Sequence, residues 1–173
     1  MSDRTVVWEG RFLTAVTEGP WEYAERKRDI GAAVIVAVDA DRHLLLVEQY
    51  RIPVGKVCLE LPAGLVGDDS EGEAVTDAAR RELEEETGYH AASVEEYGEF
   101  YSSPGMTSER FTIVVATGLT RIGDGGGEEN EDITVRRVPL DDAPAFIAER
   151  RRGGLGIDAK LLLILGSGLL ADL

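Results

Sequence analysis

The chain has 173 residues, 33 of them acidic and 18 basic, giving a net charge of −15 with both histidines neutral, and 43% of it is hydrophobic. That length suits one domain, or one domain with a small appendage, and the apolar share suffices for a core. The acidic surplus argues against nonspecific nucleic-acid binding, which needs Lys and Arg to displace counterions, and any anionic substrate must meet a metal or a local Arg. Most of the charge reads as an acidic, soluble surface. Cys58 is the only cysteine, so no intrachain disulfide forms; this fits a reducing compartment, with Cys58 as a small core residue. Met1-Ser2-Asp3-Arg4 leads into no apolar run of the signal-peptide kind. The longest apolar run, Ala32 to Val38, falls far short of the ~20 residues of a membrane span. The expectation is a cytoplasmic protein with neither nucleic acid nor membrane as partner.

Residues 5–28 alternate and carry turn signals. Val6, Trp8, Phe12, Leu13 and Val16 suggest strands, Glu18-Gly19-Pro20 a turn, and Trp21 to Arg26 a further strand. This predicts a small β unit over residues 1–29, ahead of a main domain over 30–173. Its aromatics suit a core, an interface or a stacking surface for a base. Ala32 to Val38 is apolar throughout, as a central strand buried on both faces requires. Asp39 to Arg42 makes a turn, with His43 beside it as a solvated loop residue. Leu44 to Gln49 returns as a strand, closed by Tyr50 and Arg51. Arg51 is the right group for forked hydrogen bonds to phosphate.

Val57 to Leu61 is a third strand, ended by Pro62-Ala63-Gly64, and a polar loop follows from Gly67 to Gly72. Glu73 to Thr87 is predicted as a helix with Val75, Ala78, Ala79 and Leu83 on its apolar face and Gly88 as its stop. Val94 to Phe100, Phe111 to Thr117 and Ile133 to Val138 read as strands. Gly123 to Gly127 reads as flexible, and the acidic run Glu128 to Asp132 after it is either a solvated loop or a mobile arm that carries a carboxylate to a site. Asp141 to Arg152 reads as a helix, and Asp158 as the N-cap of a last one, Ala159 to Leu170. Strands and helices interleave without a regular βαβ repeat, so the fold class is α/β with a mixed sheet and helices on its faces.

The helix over 73–87 is crowded with acid. Glu73 and Asp77, and Glu82 and Glu86, stand at i,i+4, where like charges repel. Glu82, Glu85 and Glu86 share one face. Carboxylates are hard ligands that suit Mg²⁺ or Mn²⁺, and a bound cation relieves the repulsion. Arg81 stands ready to pair with a neighbouring acid.

From Gly67 to Tyr89 the chain carries Gly67, Glu73, Arg81, Glu82, Leu83, Glu85, Glu86 and Gly88 at every fixed position of the Nudix box, a spacing that resembles the Nudix hydrolases over nearly the whole sequence. Glu48-Gln49-Tyr50-Arg51, Glu60-Leu61-Pro62-Ala63-Gly64 and Ser103-Pro104-Gly105 resemble the ADP-ribose pyrophosphatase branch, as does Pro104 lying 15 residues beyond Tyr89. Thr107 to Arg110 and Glu129 to Ile133 resemble its bacterial members, and Trp21-Glu22 its N-terminal unit, where an aromatic stacks on adenine.

The resemblance implies the Nudix α/β/α sandwich, a homodimer joined through the N-terminal β unit, and hydrolysis of ADP-ribose to AMP and ribose 5-phosphate. It implies Mg²⁺ (or Mn²⁺) on Glu82, Glu85 and Glu86 with the Ala63 carbonyl, Arg81 in support and Arg51 on phosphate. It gives the attacking water to Glu129, the first acid of Glu129-Asn130-Glu131-Asp132, with Glu131 as the alternative. It places Phe12, Trp21 and Arg26 at the adenosine, Pro104 and Gly105 nearby, and Glu109 at the terminal ribose. Another nucleoside diphosphate sugar, such as GDP-mannose or a UDP-sugar, and a non-catalytic ADP-ribose-binding module are the alternatives. One departure stands out. Many relatives use the Gly of Pro-Ala-Gly as the first Gly of the box, whereas here Gly64 precedes Gly67 by three residues. Either Gly64 keeps its place and the loop bulges, or the chain shifts.

Overall fold

A computed structural model describes residues 3–27, 30–67, 72–127 and 131–166. The first unit is a three-stranded antiparallel sheet of β1 (Arg4–Glu9), β2 (Leu13–Glu18) and β3 (Trp21–Arg26). Its aromatics are not core: Trp8, Phe12 and Trp21 are all more than half exposed. Ala24 of β3 bridges to Thr107, which joins this sheet to the loop before β9.

The main body is built on two four-stranded mixed sheets rather than one. Along the chain come β4 (Ala32–Ala37), β5 (His43–Arg51), β6 (Lys56–Glu60), β7 (Ala63–Leu65), β8 (Tyr89–Tyr101), β9 (Arg110–Arg121), β10 (Ile133–Pro139) and β11 (Gly156–Ile157). One sheet runs β7-β4-β9-β8 and the other β10-β5-β6-β11. β4 is parallel to β9 and β11 parallel to β6, and the other pairs are antiparallel.

The side-chain alternation of β4 separates two cores. Ala33, Ile35 and Ala37 meet Ala79 and Leu83 of helix α1 (Val75–Thr87) together with β8 and β9. Val34 and Val36 meet the second sheet, α2 (Ala143–Arg152) and α3 (Ala159–Gly166). With α1 on one side and α2 and α3 on the other, the α/β/α sandwich expected from the sequence is present. A run apolar on both faces was the right signal, since each face of β4 packs against a different layer.

Some expectations change. The helix begins at Val75, so Glu73 lies before it and its supposed helical repulsion with Asp77 does not arise. His43 is not a solvated loop residue: it opens β5, half-buried, with Nδ1 3.6 Å from the Asp39 carboxylate. Gly123 to Gly127 is docked, not loose. Gly126 N–H and Gly127 N–H donate to the carbonyls of Glu86 and Glu85 at 2.9 and 3.0 Å, while Ile122 and Gly123 donate to Gly88 O. The end of a helix leaves carbonyls without intrahelical partners, and this glycine segment supplies donors to them. The last residues of the final predicted helix, 167–170, lie outside the described residues, as does the interior of the loop between Gly67 and Gly72. Among the described residues no helix is long and apolar enough to cross a membrane.

Candidate active site

The site is assembled at the meeting of α1, the β6–β7 connection and the ends of β5 and β9. One cavity of about 560 Å³ is lined there by Glu82, Glu85 and Glu86 of α1, by Ala63 and Gly64, and by Glu131. Arg51 and Glu60 form another part of its wall, Arg26, Ser102 and Glu109 a third, and Asp158 and Lys160 a fourth.

Helix period puts the three glutamates together. Their distinct surroundings come from tertiary packing. Glu86 is 5% exposed, and its Oε2 accepts the Ala63 N–H at 3.1 Å. Burial pushes its carboxyl up to about 8; the Ala63 hydrogen bond opposes this, and the charges of Glu82 and Glu131 add to it. Burial likewise raises the Glu82 carboxyl, although Arg81 pulls it back down. An added cation would favour the ionised form of these acids, which burial first and neighbouring carboxylates second hold back.

Arg81 holds this arrangement together. Its Nη1 donates to Glu82 at 2.8 Å and to Glu85 at 3.2 Å, and its Nε donates to Glu73 at 3.3 Å. Burial alone would lower its pKa, but pairing with Glu73 and Glu82 raises it overall. Glu73 in turn accepts the Gly67 N–H at 3.0 Å. Burial opposes its ionisation, yet that backbone bond and Arg81 together lower its pKa. Glu73 is therefore a clamp between the start of the long loop and the helix, not a ligand.

The loop question has a geometric answer. Gly64 is paired with Ala33 and Ala63 with Val34 in β7–β4, and Ala63 sits beside Glu86. A Cβ on Gly64 would lie 1.8 Å from Glu82 Cδ and 2.0 Å from its Oε1. Gly64 thus lies in the site, packed against Glu82.

The donor set suits a hard divalent cation. Among the described residues no three carboxylate, His or Cys side chains converge as a ready-made cage. Mg²⁺ does not need one, since it retains waters and takes few carboxylates together with substrate phosphate oxygens. Buried Glu86, Glu82 pressed on Gly64, and the carboxylates crowding both fit that demand.

Other expected residues divide. Arg51 is in the cavity, with its fork closed on Glu60 at 2.8 and 2.9 Å. Arg26 and Glu109 are there too, joined at 3.0 Å. Glu131 is present, and Glu129 lies outside the described residues. Trp21, Pro104 and Gly105 share a separate surface hollow, and Phe12 is exposed beneath Arg11, whose guanidinium carbon is 4.8 Å from the ring centre. Within one chain these four do not reach the cavity. Sequence reasoning missed Glu60, Ser102, Lys160 and the second role of Asp158. Asp158 does cap α3, accepting the Lys160 N–H at 2.8 Å, while its side chain also faces the cavity. The motif Glu60-Leu61-Pro62-Ala63-Gly64 was the available signal for Glu60.

Comparison with known proteins decides the family. The family model for the NUDIX domain matches residues 27–155. The chain belongs to the Nudix family. A methanol dehydrogenase activator of Bacillus methanolicus is 37% identical over 72% of this chain and 69% of its own length. An ADP-ribose pyrophosphatase of Bacillus subtilis (strain 168) is 34% identical over 72% of this chain and 68% of its own. A GDP-mannose pyrophosphatase of Cronobacter sakazakii is 32% identical over 87% of this chain and 81% of its own. A solved structure titled as an ADP compounds hydrolase superposes with a TM-score of 0.73 at 24% identity, over 98% of this chain and 93% of the other, and so shares the Nudix fold.

Proposed function

We propose that this Nudix hydrolase cleaves the diphosphate of a nucleoside diphosphate sugar with the help of Mg²⁺ (or Mn²⁺), and that ADP-ribose, giving AMP and ribose 5-phosphate, is its substrate. The observation that carries the reading is one cavity that gathers Glu82, Glu85, Glu86, Glu131 and Ala63 against Arg51. Glu82 and Glu86, with Glu85 assisting and the Ala63 carbonyl, are the residues that would hold the metal. The metal supplies neutralisation of the diphosphate and polarisation of the attacked phosphorus. Arg81 keeps the glutamates in register and Arg51 grips phosphate oxygens. A carboxylate of the 128–132 arm orients the attacking water or takes its proton. We assign this to Glu131, supported by its place in the cavity, with Glu129 as its competitor.

ADP-ribose is favoured by the relatives that bear that activity in their names. The second reading, GDP-mannose, is favoured by the broader coverage of the C. sakazakii relative. We also propose a cytoplasmic homodimer formed through residues 1–29. Exposed Trp8, Phe12 and Trp21 support it, since a second chain would cover them. In that dimer Trp21 and Phe12, with Arg26, would flank the adenosine of the neighbouring site, Pro104 and Gly105 would back Trp21, and Glu109 would meet the terminal ribose.

The deciding experiment offers purified protein with Mg²⁺ a panel of nucleoside diphosphate sugars. ADP-ribose is expected to turn over fastest. Equal rates on GDP-mannose would sink the substrate assignment. Tight binding of ADP-ribose without turnover in any divalent metal would make this a sensing module instead.

A further inference from the structure

Arg51 and Glu60 stand at unusual positions for a surface ion pair. Both lie on the same face of the β5–β6 ladder, yet they are not opposite each other. Arg51 pairs in register with Lys56, and Glu60 with Val47. Val47 is four residues back along β5, about 13 Å at the usual strand rise. The Arg51 side chain therefore leans back along the ladder, past the Gln49–Cys58 pair, to reach Glu60. Its backbone lies at the exposed end of the strand, between Tyr50, 57% exposed, and Ile52, 84% exposed. The strand position sets the face, and the reach along it toward Glu60 is the side chain's own. The long rotamer-rich side chain has the entropy to spread into water.

Glu60 is 7% exposed, and its carboxylate takes Nε at 2.8 Å and Nη2 at 2.9 Å. This side-on fork fixes the plane as well as the place of the guanidinium. It leaves the Nη1 end without a hydrogen-bond partner among the described residues. Held this way, Arg51 shares the cavity wall with Glu86 and Asp158, whose charges both act on it.

We propose that Glu60 is a positioning residue for the reaction: it draws Arg51 off the strand end and presents its Nη1 edge to the substrate's phosphate oxygens. This rests on the reading of the site as a nucleoside diphosphate sugar hydrolase. In this proposal Glu60 acts through Arg51, both of whose donors it accepts.

The test is a double-mutant cycle in Mg²⁺ with the best substrate of the panel, using wild type, Glu60→Gln, Arg51→Lys and the double variant. Circular dichroism confirms folding at the assay temperature. Glu60→Gln is expected to lower kcat/KM about tenfold, chiefly through KM. The Mg²⁺ concentration for half-activation should stay unchanged. In the Arg51→Lys background the same change should be silent, because the fork it aims is already gone. If Glu60→Gln leaves KM and kcat unaltered while lowering Tm, the pair is only a structural brace and the proposal fails. It fails equally if the losses multiply in the double variant, since Glu60 would then act on its own. Should Glu60→Gln not fold, Glu60→Asp keeps the charge, shortens the arm and reads the same cycle. A wild type inert toward every member of the panel would overturn the hydrolase reading itself, an outcome separate from either of these.

Discussion

Glu86→Gln tests the electrostatics of the site and its chemistry at once. In the metal-free protein the Glu86 carboxyl is raised to about 8 from 4.5. A carboxyl raised on folding makes the folded state bind the proton more tightly than the unfolded chain. Its stabilising contribution is therefore complete below about pH 4.5 and is lost as pH rises through about 8. At ~1.36 kcal/mol per unit of pKa, the ceiling of that loss is about 5 kcal/mol. Relaxation and water entry reduce it, and we expect about 2 kcal/mol in practice. Gln is nearly the same shape, still accepts the Ala63 N–H, and never ionises. In EDTA at pH 8.5 the variant should therefore melt several degrees above wild type, since 1 kcal/mol moves Tm by about 2–4 °C for a chain this long. At pH 5, where wild-type Glu86 is protonated, the two should converge. Adding Mg²⁺ at 100 times its Kd should stabilise wild type by about 2.7 kcal/mol and the variant far less. Metal-dependent turnover should disappear in the variant. Thermal melts across pH with and without Mg²⁺, alongside the hydrolysis assay, measure all of this. A variant less stable than wild type in EDTA at pH 8.5, or one that keeps Mg²⁺-dependent turnover, would refute the reasoning.

Three further changes probe the frame around Glu86. Gly64→Ala places a Cβ against the Glu82 carboxyl and should cost about 100-fold in kcat with the fold intact by circular dichroism, because shifting a carboxylate proposed to hold the metal by about an ångström would misplace the reacting groups. Gly88→Ala meets a backbone at φ 74° and a Cβ position 2.4 Å from Gly123 O, so urea unfolding should show a loss of about 2 kcal/mol or more. Arg81→Lys keeps the charge but cannot bond Glu73, Glu82 and Glu85 together, and titration should show a raised Mg²⁺ requirement with lowered kcat.

What could be read in advance was local. The glutamate face of α1 follows from helical period alone, and β4 from a run apolar on both faces. The αL stop at Gly88 follows from the freedom of glycine, and its φ is 74°. What escaped depends on distant partners. β7 has three residues, too few for any period to register, yet it holds Ala63 beside Glu86. Glu73 looked like one more repelling charge because its partners, Gly67 and Arg81, flank it six and eight residues away. The glycine run looked loose because composition cannot show that the carbonyls at the end of α1 lie in front of it. Trp21 and Phe12 are expected as nucleoside contacts by resemblance only, and one chain alone does not bring them to the cavity.

That docked glycine segment bears on how an acidic protein handles an anion. The described cavity wall carries four cations, Arg26, Arg51, Arg81 and Lys160, against seven acids: Glu60, Glu82, Glu85, Glu86, Glu109, Glu131 and Asp158. Each cation is already paired with one of those acids, at 2.5 to 3.0 Å for its nearest contact. A diphosphate entering this wall meets net repulsion, so its affinity must depend on added positive charge near Glu86 and Glu131, where the excess is concentrated. The glycine segment is what keeps that excess in place. By bonding the terminal carbonyls of α1 it fixes the start of the arm that bears Glu131, so this carboxylate adds its charge to the same buried corner as Glu86 and Glu82. We therefore expect binding, and not only turnover, to require a divalent cation. A folded protein in EDTA that bound the substrate as tightly as in Mg²⁺ would show that the paired cations suffice by themselves.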